Sequence, residues 1–516
     1  NMQRKQLTLV IVSLLVVVLS VSLAWFTTQI IGKGKDVSVT STNLQIVFTD
    51  TDGEIAGADI EPGWQKTKTF TVENNSKSEY KYNIVIKDLL NTFVTNGYLK
   101  YKITSTNNGY NMTEFKDIPK SSAPKDKILA YSVVIPNGVT QSYTIEFKYA
   151  NDESVDQSDD MGKKLSGTLF ITEGTEDIYA GYEEGTLGYQ IMGDNPTRST
   201  RSNNNNGTND FATPLTTTTT GTLFKSTESI TGITDSPKEV YYYAGNTTNN
   251  WVKFAGFYWR IIRTNHDSSI RLLYVGTSHD TTTGNIGTSA FNSSYYSPKY
   301  AGYKYGEDTS LDTIRNNTTD STIKTFIDSW YKNNLTNYTK YLSTSAVYCN
   351  DRSEGTGQTY SVSADFNFAS YYRMDWIGDG AKANPSYNCT DIRDAFSIDN
   401  TSAKLTYPVS LMTADEIAFA GGVAFRTMNT PYAWFISNSV GTQVSTYWWS
   451  LSPSAWNVGR ASVWSWNSDV AYLYSLYVVN THAVRPAISL KSCIKYSTGD
   501  GTSESPYEIV ETSSGC

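Results

Sequence analysis

Along this chain, hydrophobic and polar positions fall into four successive regimes. From Leu7 to Phe26 no charged residue occurs, and Arg4 and Lys5 stand just before this run. Twenty such residues match the hydrocarbon thickness of a bilayer, and the flanking cations predict a cytoplasmic N-terminus with the rest outside. The run at 1–35 therefore predicts a hydrophobic helix, read first as a retained anchor. A cleaved secretory signal ending near Ser22-Leu23-Ala24, or a helix packed in a filament, are the other readings of the same pattern.

Residues 36–174 alternate with period two. DVSVTSTNLQIVF, KTKTFTVENN, YKYNIVIKDL, LKYKITST, AYSVVIP, QSYTIEFKYA and GTLFITEG are short alternating segments separated by turn residues. About seven such strands predict an all-β sandwich. Asp50–Asp52 and Asp156–Asp160 lack the spacing of a calcium loop and read as solvated turn charges.

Residues 175–222 change again. A short helix is expected in EDIYAGYEEGTLGYQIMG, and the following PTRSTRSNNNNGTNDFATPLTTTTTG is poor in apolar residues. Such a stretch buries too little surface to fold alone and predicts a linker, cut first by trypsin at Arg198 or Arg201.

Residues 223–516 mix both periods. Two or three strands are expected in EVYYYAGNTTNNWVKFAGFYWRIIRTNHDSSIRLLYVG. Ile323, Phe326, Ile327, Trp330 and Leu335 recur at helical spacing. Thr413 followed by Glu416 and a Gly-Gly stop reads as a capping box at the start of a second helix. This region predicts an α+β domain with helices on a twisted antiparallel sheet. Trp259, Trp330 and the segment from Val484 to Leu490 are expected in its core.

Composition narrows the function classes. At 516 residues two or three domains are expected, and a net charge of −8 gives no nucleic-acid footprint. Thirty-seven tyrosines with only 18% charged residues suit an extracellular or surface protein. The four cysteines, Cys349, Cys389, Cys493 and Cys516, are confined to the last region, contain no CxxC, and predict structural disulfides in an oxidising place. Of the three possible pairings, Cys349–Cys389 would close a loop-rich insertion and Cys493–Cys516 would clasp the tail.

Five of the twelve tryptophans fall between Trp448 and Trp466, among Tyr, Ser and Asn. Tyr and Trp give large contact area at low entropic cost, while Ser and Asn supply adaptable hydrogen bonds. The expected binding residues are Trp456, Asn457, Arg460, Trp464, Trp466, Asn467, Asp469, Tyr472 and Tyr474. Trp464 and Trp466 share one face of a strand, and the smaller Ala461, Val463 and Ser465 share the other. This alternation predicts both tryptophans outward. Beyond Val470 the phase is ambiguous: Leu473 favours Tyr472 and Tyr474 outside, yet Leu476 and Val478 fall on the tyrosines' side.

Two resemblances bear on these expectations. AWFTT, VENNSKSEYKYNIVI and DQSDDMGKKLSGTLFI resemble the camelysin and TasA-like surface proteins, which implies a β-sandwich and leaves a fibre or pilus subunit, with self-assembly, as an alternative. NNWVKFAGFYWRIIRTNHDSSIRLLY, FIDSWYKNNL, YPVSLMTADEIAFAGG, YWWSLSPS and VRPAISL resemble the formylglycine-generating-enzyme-like branch of the C-type lectin fold. That implies a ligand-binding head, with Ser454 to Asn480 in the place that varies in retroelement-diversified proteins. The redox cysteine pair of the formylglycine-forming enzymes has no counterpart, because Cys493 and Cys516 lie beyond the last strand. His266, His279 and His482 stand in no nucleophile motif, so no enzyme is expected. Asp469 is the only acid in 444–486, which does not support a calcium-dependent sugar site. The expectation is a cell-surface protein without cofactor or metal, anchored in the membrane. It would bind a host or bacterial surface protein or a glycan.

Overall fold

The computed structural model describes residues 37–516 except 42–43, 51–54, 58–59, 96, 202–209, 375–382, 429–432 and 436–446. The expected hydrophobic helix at 1–35 lies outside the described residues. Among the described residues no helix is long and apolar enough to cross a membrane. The chain is β-rich and divides into two compact units, Asn1–Asp177 and Ile178–Cys516.

The first unit is a sandwich of two antiparallel sheets. Its strands are β1 (Val37–Ser41), β2 (Leu44–Asp50), β3 (Ile55–Gly57), β4 (Gln65–Asn74), β5 (Tyr80–Asn91), β6 (Leu99–Ser105), β7 (Lys116–Asp117), β8 (Ser121–Ile135), β9 (Thr140–Tyr149) and β10 (Leu165–Glu173). One sheet has the order β1-β2-β4-β9-β6-β7 and the other β3-β10-β5-β8. The period-two pattern is the cause: Phe70, Val72, Ile84, Ile86, Ile103, Ile145 and Leu169 bury their side chains in one cluster. Asp160 departs from the solvated-turn expectation. It is buried, and its carboxylate accepts from the amides of Val94 and Thr95 at 2.6 and 3.1 Å and from the Tyr149 hydroxyl at 2.8 Å. An acid close to a reversing chain satisfies otherwise orphaned donors, which a charge count does not reveal.

The segment expected to be a linker is built into the second unit. Helix α1 (Leu187–Asp194) is capped by Thr186 and buries Leu187, Ile191 and Met192. Strand β11 (Thr197–Thr200) pairs in parallel with β12 (Thr222–Glu228). Arg201 is buried, with its guanidinium donating to the carbonyls of Ala418, Phe419 and Asp210 at 3.0, 2.7 and 2.6 Å. The Thr-rich stretch lies against Asn246, whose carbonyl accepts from Thr219 and whose amide donates to Thr217. Low hydrophobicity argues against independent folding, but not against completing another domain's sheet edge and helix terminus.

The second unit's main sheet runs β11-β12-β13-β15-β14-β26-β25, with β16 on β15, and β24 joining β16 to β19. Here β13 is Lys238–Tyr242, β14 Trp251–Phe254, β15 Phe257–Thr264, β16 Ile270–Gly276, β19 Val409–Leu411, β24 Pro486–Leu490, β25 Tyr496–Thr498 and β26 Tyr507–Ile509. A second sheet has the order β17-β23-β20-β21-β22, with β18 on β20. Its strands are β17 (Thr288–Ala290), β18 (Phe366–Asn367), β20 (Tyr447–Asn457), β21 (Arg460–Asn467), β22 (Tyr472–Tyr477) and β23 (Thr481–Ala483). Helices α2 (Thr322–Asn334), α3 (Ala369–Met374) and α4 (Ala414–Phe419) complete the framework. Trp259 and the Val484–Leu490 segment are buried as expected, while Trp330 is half-buried against the same cluster. The disulfides pair Cys349 with Cys389 and Cys493 with Cys516, which places this unit in an oxidising environment.

Buried charge ties the elements together. Arg263 on β15 bonds Glu228 at the end of β12 and Glu416 on α4, both at 2.8 Å, and Arg271 on β16 reaches the same Glu416 oxygen. Arg373 joins Asp351 and Asp415 at 2.7 Å each, and Asp394 holds Arg315 and Arg352 at 2.7 Å each. Glu416 is also the reciprocal member of the Thr413 capping box, accepting from the Thr413 amide at 2.9 Å through its other oxygen.

Candidate recognition surface

The ribbon β20–β21–β22 carries the nine expected binding residues, and its pairing decides where each one goes. Asn457 faces Arg460 across the first turn and Asn467 faces Tyr472 across the second. Seven residue steps along β21 separate these ends by about 23 Å. Between them both faces are covered. Val463 and Ser465 on one face and Trp464 and Trp466 on the other are all fully buried.

The outward placement of Trp464 and Trp466 is therefore overturned, and Trp456 is also core at 1% exposure. Trp464 stacks on Tyr371 of α3 and donates its indole N–H to the Ser370 hydroxyl at 3.2 Å. Trp466 meets Phe435 edge-on with centroids 4.8 Å apart. Upstream, Trp449 donates to the Ser289 carbonyl at 2.9 Å, and Trp448 lies under the Arg485 guanidinium. Alternation predicted one wet face; a strand inside a layered fold has none. Asn467 is likewise buried, its side-chain oxygen accepting from the amides of Asp469 and Val470 to shape the turn.

The remaining residues reach solvent at the ribbon's two ends. Asp469 and Tyr474 are exposed and Tyr472 is half-buried at one end. The tyrosines take the outer phase, with Leu473 and Val478 fully buried. Phe425 packs edge-on to Tyr474 at 5.8 Å. At the other end Asn457, Val458 and Arg460 form the exposed tip of the β20–β21 hairpin.

That tip meets residues the sequence reading missed. Tyr477, at the end of β22, accepts from the Arg460 guanidinium at 3.0 Å, and the guanidinium lies 5.0 Å from its ring centroid. Tyr295 lies 6.4 Å from Tyr477 and 4.3 Å from Tyr296, and the last two hydroxyls are 3.2 Å apart. The Tyr295 carbonyl accepts from the Ala461 amide, which fixes this loop to the ribbon. Tyr296 is 72% exposed. Arg460 has no carboxylate partner among the described residues. The hydrogen bond to the Tyr477 hydroxyl raises the Arg460 pKa above the usual arginine value. The pair of tyrosines in NSSYYSP was visible as a polar loop, but nothing local linked it to a ribbon more than 150 residues away.

Chemically, the ribbon end offers phenol rings, phenol hydroxyls and one preorganised cation on a rigid frame. Among the described residues no cluster of His, Cys, Asp and Glu is suited to hold a metal ion.

No protein-family model matches the chain, and no curated protein matches it. Among solved structures, the one described as "AvmM Catalyzes Macrocyclization in Alchivemycin A Biosynthesis" is similar over 28% of this chain and 97% of its own, with 11% sequence identity and a TM-score of 0.15. A likeness at that level carries no argument about this chain's fold or activity.

Proposed function

We propose that this is a surface-displayed recognition protein in which the first unit is a β-sandwich stalk and the second a C-type-lectin-like head. The observation that carries the reading is the cluster at one end of the ribbon, where the exposed Tyr296, Arg460 and Tyr477 meet the half-buried Tyr295 above a buried ribbon centre. Rigid tyrosines with an arginine are the chemistry of paratopes and interface hot spots, because they lose little rotamer entropy on binding and combine apolar area with hydrogen bonding. The two disulfides favour display outside the cytoplasm, and the apolar run from Leu7 to Phe26 is the proposed attachment to a membrane. The partner is a surface protein or glycan bound without a cofactor. Of the cluster, Arg460 and Tyr477 fall within Ser454–Asn480, the place that varies in the retroelement-diversified proteins this head resembles, so the reading includes membership in such a set.

The test is a glycan and surface-protein array probed with the full chain and with an Arg460→Ala/Tyr296→Ala double variant. Signals that the double variant loses support the reading. Signals that persist unchanged place recognition elsewhere.

A further inference from the structure

Arg460 differs from the other arginines of the second unit in what it meets. Arg263, Arg271, Arg315, Arg352, Arg373 and Arg393 pair with carboxylates. Arg198, Arg201, Arg260, Arg426 and Arg485 donate to backbone carbonyls. Arg460 does neither. Its acceptor among the described residues is the Tyr477 hydroxyl, at 3.0 Å. A guanidinium presents five N–H groups in a planar fork, so most of this fork is left open on an exposed side chain.

The open cation is nonetheless held in place. It lies 5.0 Å from the Tyr477 ring centroid. The adjoining turn is tied back where the Val458 amide donates to Asp365 at 2.6 Å, and Asp365 forms no ion pair with Arg460. The Ala461 amide donates to the Tyr295 carbonyl, which fixes the tyrosine loop beside it. Tyr296, Val458 and Tyr477 are 72%, 57% and 37% exposed, so apolar surface surrounds the charge. A partner that covers this surface strips water from the fork, whose remaining N–H groups then need acceptors. A carboxylate supplies two in the matching planar geometry, and the apolar rim keeps water away from the pair.

We infer that this surface docks a protein partner through an Asp or Glu side chain. The carboxylate takes the open edge of the Arg460 guanidinium, and apolar neighbours of that residue pack on Tyr296, Tyr477 and Val458. The tip of a hairpin and a loop suits a recess on a protein, whereas a small ligand such as a sugar calls for a concave site that encloses it. Arginine and tyrosine without lysine is also the composition of protein interfaces. The inference rests on the recognition surface proposed above and adds the chemistry of its partner.

The experiment is selection of a phage-displayed library of random short peptides on the full chain and on its Arg460→Glu variant. Peptides enriched on the wild-type chain are expected to carry Asp or Glu beside an aromatic or branched aliphatic residue. They should bind Arg460→Ala about thirtyfold more weakly, the factor that loss of a hot spot corresponds to. Selection on Arg460→Glu should enrich Lys or Arg in place of the acids, a reversal that a merely structural arginine would not give. Thermal melts of the variants should match wild type, because the side chain is exposed. Peptides that need Tyr296, show no bias toward acids and bind Arg460→Ala unchanged overturn the inference and leave the recognition surface standing. Peptides indifferent to both Tyr296→Ala and Arg460→Ala overturn the two together. Failure to enrich acidic peptides, with array binding confined to glycans that carry uronic or sialic acid, overturns the protein partner.

Discussion

Trp464 lies nearly flat on Tyr371, with ring centroids 5.5 Å apart and planes inclined by 25°. The pair locks helix α3 to the centre of the ribbon, and the indole N–H is satisfied by Ser370. Trp464→Ala should therefore behave as a core truncation, costing about 3–5 kcal/mol. Thermal or chemical melts of Trp464→Ala beside Trp259→Ala check this. Comparable losses are expected, and a Trp464→Ala melt within error of wild type would contradict the packing described.

Tyr296→Ala and Arg460→Ala should do the reverse. Both side chains project from the ribbon end, and surface changes away from buried networks usually shift stability by less than about 0.5 kcal/mol. Their effect is expected on ligand affinity, by about 2 kcal/mol or more at a hot spot. Calorimetric melts establish the first half before any ligand is in hand.

Acid should weaken the second unit through the buried carboxylates. For Glu228 and Glu416 burial alone would raise the pKa, but the Arg263 charge together with hydrogen bonds from His266 and Arg263 at Glu228, and the Arg271 and Arg263 charges together with hydrogen bonds from Arg263 and Thr413 at Glu416, outweigh it, so both are depressed in the fold. The sign follows from linkage. A depressed carboxylate contributes its full stability above the unfolded value near 4.3, and loses it as pH falls through the folded value. Melting temperature should hold from pH 7 to about 5 and fall below about 4. Glu416→Gln leaves Arg263 and Arg271 without that charge and should cost about 3–5 kcal/mol at pH 7, as breaking a buried pair does. Its melting curve should also depend less on acid.

Limited trypsin digestion gives a test of the built-in segment at 187–201. Arg201 is held by three carbonyls, and Arg198 donates to the carbonyl of Ile178. Neither should be among the first cleavage sites in the native protein, because cutting needs local unfolding of bonded backbone. Early peptides ending at Arg201 would show that this segment is not packed as described.

Much of the framework was readable from residue order because its causes are local. The alternating strands of 65–174, the Ile323-to-Leu335 stripe of α2 and the Thr413–Glu416 capping box each depend on neighbours within a few positions. The disulfide pairing followed from where the cysteines bracket loop and tail. What was not readable is tertiary. Trp464 and Val463 alternate as a half-exposed strand would, and only the arrival of α3 at residue 369 covers the second face. Arg201 looks like an exposed linker cation until the α4 carbonyls, more than 200 residues on, come to meet it. The tyrosine–arginine cluster shows the same limit: Arg460 was singled out, while Tyr295, Tyr296 and Tyr477 became its neighbours through folding alone.

Glu416 carries a consequence for how the protein can change. One oxygen closes the start of α4 and the other accepts from Arg263 and Arg271, so helix initiation and strand alignment draw on a single side chain. A substitution there is felt by two layers at once. The hairpin tip at Asn457, Val458 and Arg460 is the opposite case, since little of the interior depends on it. The ribbon thus places freely exchangeable positions directly beside frozen ones, and the tip can change its surface chemistry without the second unit having to relearn how to fold.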